Sequence, residues 1–289
     1  MRIATIGLAG CSGCHVALVS LHEKLLELLE KANLVHSYML LDEKEIPEDV
    51  DLGFIEGAVR TAHDEEKTRD LRSKSKTLVS LGSCSCFGGL PGLGNIYDAE
   101  TLLNEVYTNT ASTVDGFVPY KDLPKVLPSA RPVDEVVKVD YKLPGCPPEV
   151  ESIADFLIAF VKGERPKAHL KNVCEECPRE RRGHAPQQYQ RIHTGKPEPE
   201  LCLLEQGYIC MGPATRNGCG AKCPKANMTC EGCYGPCENA WDQGLAMLDA
   251  LTAMTTDALP DFKMETHSAI FYRYTFASSL LSKIARKRR

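Results

Sequence analysis

Nine of the fourteen cysteines of this 289-residue chain fall between Cys174 and Cys237, a window of 64 residues. Residues 164–238 are otherwise rich in Pro, Gly and Arg and poor in apolar runs. Such a segment cannot bury enough apolar surface to fold alone, so something must cross-link it. Fourteen cysteines in 289 residues fall short of the ~8–10% that marks a disulfide scaffold. The N-terminus, MRIATIGLAGCSGC, has neither a signal-peptide pattern nor a twin arginine. The chain therefore reads as cytoplasmic, where clustered thiols act as metal ligands or redox groups rather than as disulfides.

Composition sets the remaining bounds. With 43% hydrophobic and 25% charged residues and a net charge of -5, the chain reads as globular, not disordered, collagenous or coiled-coil. Its apolar stretches are interrupted short of the ~18 residues that a spanning helix needs, so no membrane partner is expected. The basic end, Lys283 to Arg289, has no stacking aromatics beside it and reads as a solvated tail or partner contact rather than a nucleic-acid site.

Residues 1 to about 165 alternate strand and helix patterns. Strands are expected at 2–8, 34–41, 50–57, 77–82 and 136–141, and helices at 16–31, 63–74 and 149–162. Leu18, Leu21, Leu25 and Leu28 share one face of the first helix. Alternation of this kind implies an α/β domain built on a mostly parallel, doubly wound sheet. Beyond it, a short helix is expected near Leu201–Gln206. A longer one at 239–255 would place Trp241, Leu245, Leu248 and Leu251 together, and a last one spans 272–285.

Four cysteines follow expected strand ends: Cys11 and Cys14, Cys84, and Cys146. In an open α/β sheet the carboxyl ends of the strands share one edge, where ligand sites collect. Four thiols there would form one tetrahedral site, suited to zinc or to an iron-sulfur cluster. Cys11 and Cys14 alone would also fit a thioredoxin-like redox pair, leaving Cys84 and Cys146 unexplained. In the second segment, C-x2-C pairs at 174–177 and 230–233 suit a zinc ribbon as well as clusters, while Cys-Pro at 146, 177 and 223 favours clusters. Fourteen thiols complete at most three such sites.

The motifs CSGC at 11–14, LGSCSCFGG at 81–89, LPGCPP at 143–148, CEECPR at 174–179, CLLEQGYICMGPATRNGC at 202–219 and CEGCYGP at 230–236 resemble, in order and spacing, the small subunit of nickel-iron hydrogenases. The resemblance spans residues 1 to about 250. It implies a flavodoxin-like domain at 1–165 carrying the proximal cluster, then a loop-rich, iron-sulfur-stapled α domain at 166–289 carrying the medial and distal clusters. The nickel-iron centre would sit in a separate large subunit, so no catalytic residue is expected here and the chain's work would be electron transfer. Carried over by motif, a proximal 4Fe-4S cluster would use Cys11, Cys14, Cys84 and Cys146. The distal one would use Cys174, Cys177, Cys202 and Cys210. The medial one would use Cys219, Cys230, Cys233 and a fourth ligand.

Departures from the periplasmic members sharpen the resemblance. Cys174 stands where their distal cluster has a His, so distal ligation would be all-thiolate. Cys223, in GCGAKCP at 218–224, would complete a 4Fe-4S medial cluster where theirs is 3Fe-4S, with Cys237 as its rival. The absent export leader points to the cytoplasmic branch. Within that branch, residues 207–224 and 233–244 look most like the methyl-viologen-reducing hydrogenase of methanogenic archaea that is linked to heterodisulfide reductase. An iron-sulfur adaptor subunit and that reductase would then be partners. Small subunits of deazaflavin-reducing or NAD(P)-linked hydrogenases and of sulfhydrogenases are the alternatives. Outside this class stand a zinc-stapled interaction protein and a thiol-disulfide oxidoreductase.

Other residues are read more plainly. Cys86 is expected to be a buried non-ligand thiol, and the histidines ordinary surface or core residues, with His184 close to the distal motif. Glu56 is a candidate proton-path carboxylate. Gly10, Gly13, Gly82, Gly88, Gly89 and Gly145 suit either turns or close backbone approach. Arg179, Arg181 and Arg182 would steer an acidic partner.

Overall fold

A computed structural model describes residues 1–186, 188–254 and 269–288. The chain divides into two compact units, one of Met1–Pro166 with Tyr274–Arg289 and the other of Lys167–Arg273.

The first unit is built on strands β1 (Arg2–Gly7), β2 (Asn33–Ser37), β3 (Val50–Glu56), β5 (Ser75–Leu81) and β7 (Tyr141–Leu143), which form one sheet in the order β2-β1-β3-β5-β7. All four pairings are parallel. This is the flavodoxin-type doubly wound order, in which the direction of winding reverses beside the first strand. A separate antiparallel pair joins β4 (Val59–Thr61) to β6 (Val126–Arg131). Two helices, α4 (Gly82–Phe87) and α5 (Ala99–Tyr107), lie between β5 and β6 in the chain.

Alternation along the strands feeds two cores. Leu52, Phe54, Val79 and Leu81 face one of them, with Ala17 of α1 (Gly13–Val19) and Ile153, Phe156 and Leu157 of α6 (Val150–Val161). Ile55 and Leu78 face the other, with Leu71 of α3 (Ala62–Lys74) and Val133. Full burial of each such side chain contributes about 1.5–3 kcal/mol, enough for this unit to hold its shape around its own apolar interior.

Several elements differ from expectation. The single helix expected over 16–31 is two, α1 and α2 (Glu23–Leu29), because the chain breaks at Ser20–His22, where His22 takes φ +50°. Leu21 sits in the break and is buried in the core. The strand expected over 34–41 ends at Ser37, whose carbonyl accepts from the Leu40 and Leu41 N–H groups in a turn. VVKVDY at 136–141 is not a strand. The Val136 and Val137 N–H groups bond to the Val133 carbonyl in a tight turn, and the alternating valines pack against the second core from there. Pairing with β5 begins at Tyr141.

The second unit contains little regular structure: α7 (Lys222–Lys225), α8 (Gln243–Met254) and short 3-10 turns. Residues 201–206 form a single turn rather than a helix, closed at Gly207, which adopts φ +83°. Helix α8 buries Met247 and Leu251, whereas Trp241 precedes it and is 96% exposed, so it does not share the expected face. Thr255, the last residue of the expected helix, lies outside the described residues. At the C-terminus a 3-10 turn at Phe276–Ser278 precedes helix Leu280–Arg288, whose first turn is capped by the Ser279 hydroxyl accepting from Ser282 N. Arg289 of the basic end is outside the described residues. Among the described residues no helix is long and apolar enough to cross a membrane.

Helix α3 is amphipathic only weakly and depends on its start. Thr61 Oγ1 accepts from Asp64 N at 3.1 Å, and the Asp64 carboxylate accepts from Thr61 N at 2.7 Å and from Arg60 N at 3.0 Å. This is a capping box. Replacing Thr61 with Ala is expected to destabilise the first unit by about 1 kcal/mol, read as a lowered denaturation midpoint followed by helical circular dichroism.

Candidate metal centres

The loops after β1, β5 and β7 leave the sheet at its carboxyl edge. Cys11 and Cys14 follow β1, Cys84 lies in the short helix α4 after β5, and Cys146 follows β7. Backbone hydrogen bonding ties two of these loops together, with Ser83 N donating to Gly145 O at 2.8 Å and Gly145 N donating to Ser83 Oγ at 3.3 Å. Close approach then excludes side chains at two positive-φ glycines. A Cβ on Gly82 would collide with Cys14 Sγ, and one on Gly89 with Cys84 Sγ.

The thiols stand within electrostatic reach of one another. Burial raises the pKa of Cys14, and the Glu56 carboxylate and the Cys84, Cys86 and Cys146 sulfurs add to the shift. Burial pushes Cys84 up to about 12, with Cys146 and Cys11 contributing. It raises Cys146 as well, again with Cys11 beside it. Crowded, half-buried sulfurs of this kind are stable as thiolates only around a cationic centre. Cys86 is set apart: it is fully buried, and its thiol donates to Ser80 O at 3.4 Å.

Glu56 ends β3 at the same edge and is only 3% exposed. Its Oε2 accepts from His15 N at 2.8 Å and lies 2.9 Å from His15 Nδ1, in ion-pair contact but not aligned for a hydrogen bond. His15 Nε2 in turn bonds Thr5 Oγ1 at 2.9 Å, and His36 Nδ1 bonds Thr5 O at 3.1 Å. This buried His15 pairing was not legible from residue spacing. Its one signal was the position of His15 directly after a cysteine that follows a strand.

In the second unit, a cavity of about 330 Å³ is lined by Cys174, Cys177, Cys202 and Cys210, with Arg181 and His184 at its wall. Burial pushes Cys174 up to about 11, opposed by the Arg181 guanidinium, which hydrogen-bonds its sulfur. Burial pushes Cys210 up to about 12, although its sulfur accepts N–H bonds from Gly212 and Cys230, the latter at 3.3 Å. Burial also raises Cys230 well above its ordinary value, and Cys210 and Cys233 are its charged neighbours. Cys219 lies between Gly218 and Gly220, and Cys223 is on α7. Cys237 follows the bridge between Thr215 and Pro236, on a segment separate from Cys223.

Arg179 does not serve the steering role read from sequence. It is buried, and its guanidinium donates to Pro224 O, Glu198 O, Leu201 O and Asn227 Oδ1, clamping three loops around the CEECP turn. Arg182 is exposed and pairs with Glu180 at 2.8 Å.

The donor set suits iron-sulfur clusters. Among the described residues, no three His, Cys, Asp or Glu side chains converge on a single-ion site. The four thiols of the second unit instead surround a space with room for a polyatomic group. A tetrahedral zinc would draw its sulfurs to about 2.3 Å from one point.

Comparison with known proteins agrees. Residues 11–160, a span that begins at Cys11 and contains Cys14, Glu56, Cys84 and Cys146, match the family described as NADH ubiquinone oxidoreductase, 20 Kd subunit. The chain is 42% identical to the iron-sulfur small chain of the F420-non-reducing hydrogenase of Methanocaldococcus jannaschii, covering 99% of this chain and 98% of that protein. The chain belongs to the nickel-iron hydrogenase small-subunit family. The delta chain of sulfhydrogenase 2 from Pyrococcus furiosus is 34% identical over 82% of this chain and 86% of its own length. A chain of the NAD+-reducing NiFe-hydrogenase crystal structure in the H2-reduced state superposes with a TM-score of 0.56 at 38% identity, covering 58% of this chain and 94% of that one. As a small subunit, this chain is the electron-transfer part of an oxidoreductase complex and lacks the catalytic site. Membership implies iron-sulfur clusters here and a nickel-iron centre in the large subunit with which it pairs.

Replacing Arg179 with Ala leaves four buried acceptors unpaired and is expected to cost about 3–5 kcal/mol, with Lys unable to restore the fork. Faster proteolysis within residues 167–273 in both variants, with residues 1–166 unaffected, would be the readout.

Proposed function

We propose that this small subunit carries electrons from dihydrogen, oxidised at the nickel-iron centre of the large subunit, through three 4Fe-4S clusters to a heterodisulfide reductase complex by way of a small iron-sulfur adaptor. The observation that carries the reading is the gathering of thiols into sets. Cys11, Cys14, Cys84 and Cys146 meet at the sheet edge, and Cys174, Cys177, Cys202 and Cys210 line one cavity. The first set would hold the proximal cluster and the second the distal one. Cys219, Cys223, Cys230 and Cys233 would hold the medial cluster. When bound, each cluster supplies one-electron redox chemistry; the protein's part is to hold the thiolates, exclude water and aim N–H donors at sulfur. Glu56 is carried as a proton-path group, supported by its burial beside the proximal thiols.

Near full-length similarity to a methanogen hydrogenase that does not reduce coenzyme F420 supports the heterodisulfide reductase branch over a deazaflavin acceptor. The shorter matches to sulfhydrogenase and NAD+-linked relatives rank those acceptors lower. Co-purification of the reductase and an adaptor with this chain under anaerobic conditions tests the partner assignment, and a complex ending instead in a flavin- or nicotinamide-reducing subunit would refute it.

Cluster number and ligands have direct tests. The anaerobically purified chain should hold about twelve irons and as many sulfides; zinc without iron would overturn the reading. Cys223→Ser should lose about one iron per chain while Cys237→Ser retains all. In Gly82→Ala the methyl group competes with Cys14 Sγ for space, so about a third of the iron should be lost, with the distal and medial spectroscopic signals retained.

A further inference from the structure

Glu176 stands inside the CEEC turn, between Cys174 and Cys177, yet its side chain leaves that turn. Its Oε1 accepts from Gly218 N at 2.9 Å, and its Oε2 accepts from Gly220 N at 2.9 Å and from Gly218 N at 3.1 Å. Gly218 and Gly220 flank Cys219. The carboxylate of one cysteine turn therefore occupies the backbone donors on both sides of a cysteine in another.

The backbone around Cys219 is shaped for an anion. Gly218, Gly220 and Ala221 have φ of +114°, +62° and +51°. Successive N–H groups in such left-handed turns point into a common concavity, which is a general anion-binding arrangement. Here the anion is a side chain of the same protein. The two segments are also aligned by backbone contacts: Val173 N donates to Thr215 O at 2.8 Å, Asn217 N donates to Lys171 O at 2.9 Å, and Asn172 bridges Arg216 in antiparallel fashion. Glu176 is the side-chain end of that seam.

We propose that Glu176 is a positioning residue for electron relay: it fastens the distal cysteine turn to the Cys219 loop and holds the medial cluster at low potential. This rests on the reading of Cys174 and Cys177 as distal ligands and of Cys219 as a medial one. N–H groups that bond to cluster or ligand sulfur stabilise the more negative, reduced state and raise the potential. Glu176 occupies both N–H groups that flank Cys219 and adds a fixed negative charge next to it. Both effects disfavour an extra electron on the cluster that Cys219 serves. The same contacts fix the separation of the Cys177 and Cys219 turns, on which electron transfer between two centres depends.

The test is a redox titration of the assembled hydrogenase, purified anaerobically and followed by electron paramagnetic resonance, with iron content measured alongside. Glu176→Gln keeps an oxygen that can accept from Gly220 and Gly218 together while removing the charge. It should keep its iron and raise the medial midpoint by a factor of about ten in the reduction equilibrium, or about 59 mV for a one-electron centre, with a smaller shift at the distal cluster. Glu176→Ala removes the acceptors too, and should lose the medial signal and about a third of the iron while the distal and proximal signals persist. Selective loss of the medial signal already in Glu176→Gln would equally support the proposal. An unchanged medial midpoint in a fully loaded Glu176→Gln complex overturns it, as does a larger shift at the distal cluster than at the medial one. If Glu176→Ala does not assemble, Glu176→Gln decides alone. Absence of medial or distal signals in the unsubstituted complex would instead refute the ligand reading, so the two failures are distinguishable.

Discussion

Burying several thiols together without a cation is unfavourable, and the rest of the molecule depends on how that is resolved. Desolvation raises Cys14, Cys84, Cys146, Cys174, Cys210 and Cys230, and neighbouring sulfurs push in the same direction. A cluster reverses the sign of the problem, because the iron charge turns mutual repulsion between thiolates into shared attraction to the core. Metal binding then becomes folding free energy. The two units depend on it to different degrees. In the first, Leu52, Phe54, Val79 and Leu81 lie in an apolar interior between sheet and helices, and the thiols attach at its edge. In the second, helix α8 contributes Met247 and Leu251, while most of the chain between Lys167 and Gln243 runs in turns.

The parallel sheet was legible because its central strands are buried on both sides and so read as short apolar runs: IATIG, LGFIE and TLVSL each lie within a strand. What was not legible followed from tertiary context. Valines 136, 137 and 139 alternate like a strand, but they satisfy the same burial requirement from a turn, and alternation alone does not separate the two cases. Leucines 18 to 28 keep helical spacing across a break at Ser20–His22, because Leu21 still reaches the core from the break. The cysteine sets were visible as motifs, since strand ends share an edge. The partners of those sets were not. His15 reaching Glu56, or Glu176 reaching Gly218, spans 41 or 42 residues, and no local pattern encodes such a contact.

The arginines and glutamates beside the cysteine motifs show why charge in the sequence was misleading there. Where loops lack apolar residues, their backbone groups still need partners. Arg179 supplies donors to carbonyls at 198, 201 and 224. The Glu205 carboxylate accepts from the N–H groups of Arg182 and Gly183, and Glu176 accepts from Gly218 and Gly220. Each charged side chain thus ties a cysteine-bearing turn to a loop distant in sequence. A cluster of such residues looks like a docking surface in one dimension and acts as internal bracing in three.

Bracing by charge has an electrical consequence that bracing by leucine would lack. Near a redox centre a fixed carboxylate or guanidinium is never neutral scaffolding, because every charge biases the electron's residence there. The second unit uses both signs: Arg181 approaches Cys174, which favours the reduced form of whatever that cysteine holds, while Glu176 is bound at the turn of Cys219, which disfavours it. With the thiolates assigned as proposed, these two side chains tilt the exchange from the Cys219 centre toward the Cys174 centre, the downhill direction for electrons leaving the protein. The residues that let a core-poor segment fold would then also set the direction in which it conducts.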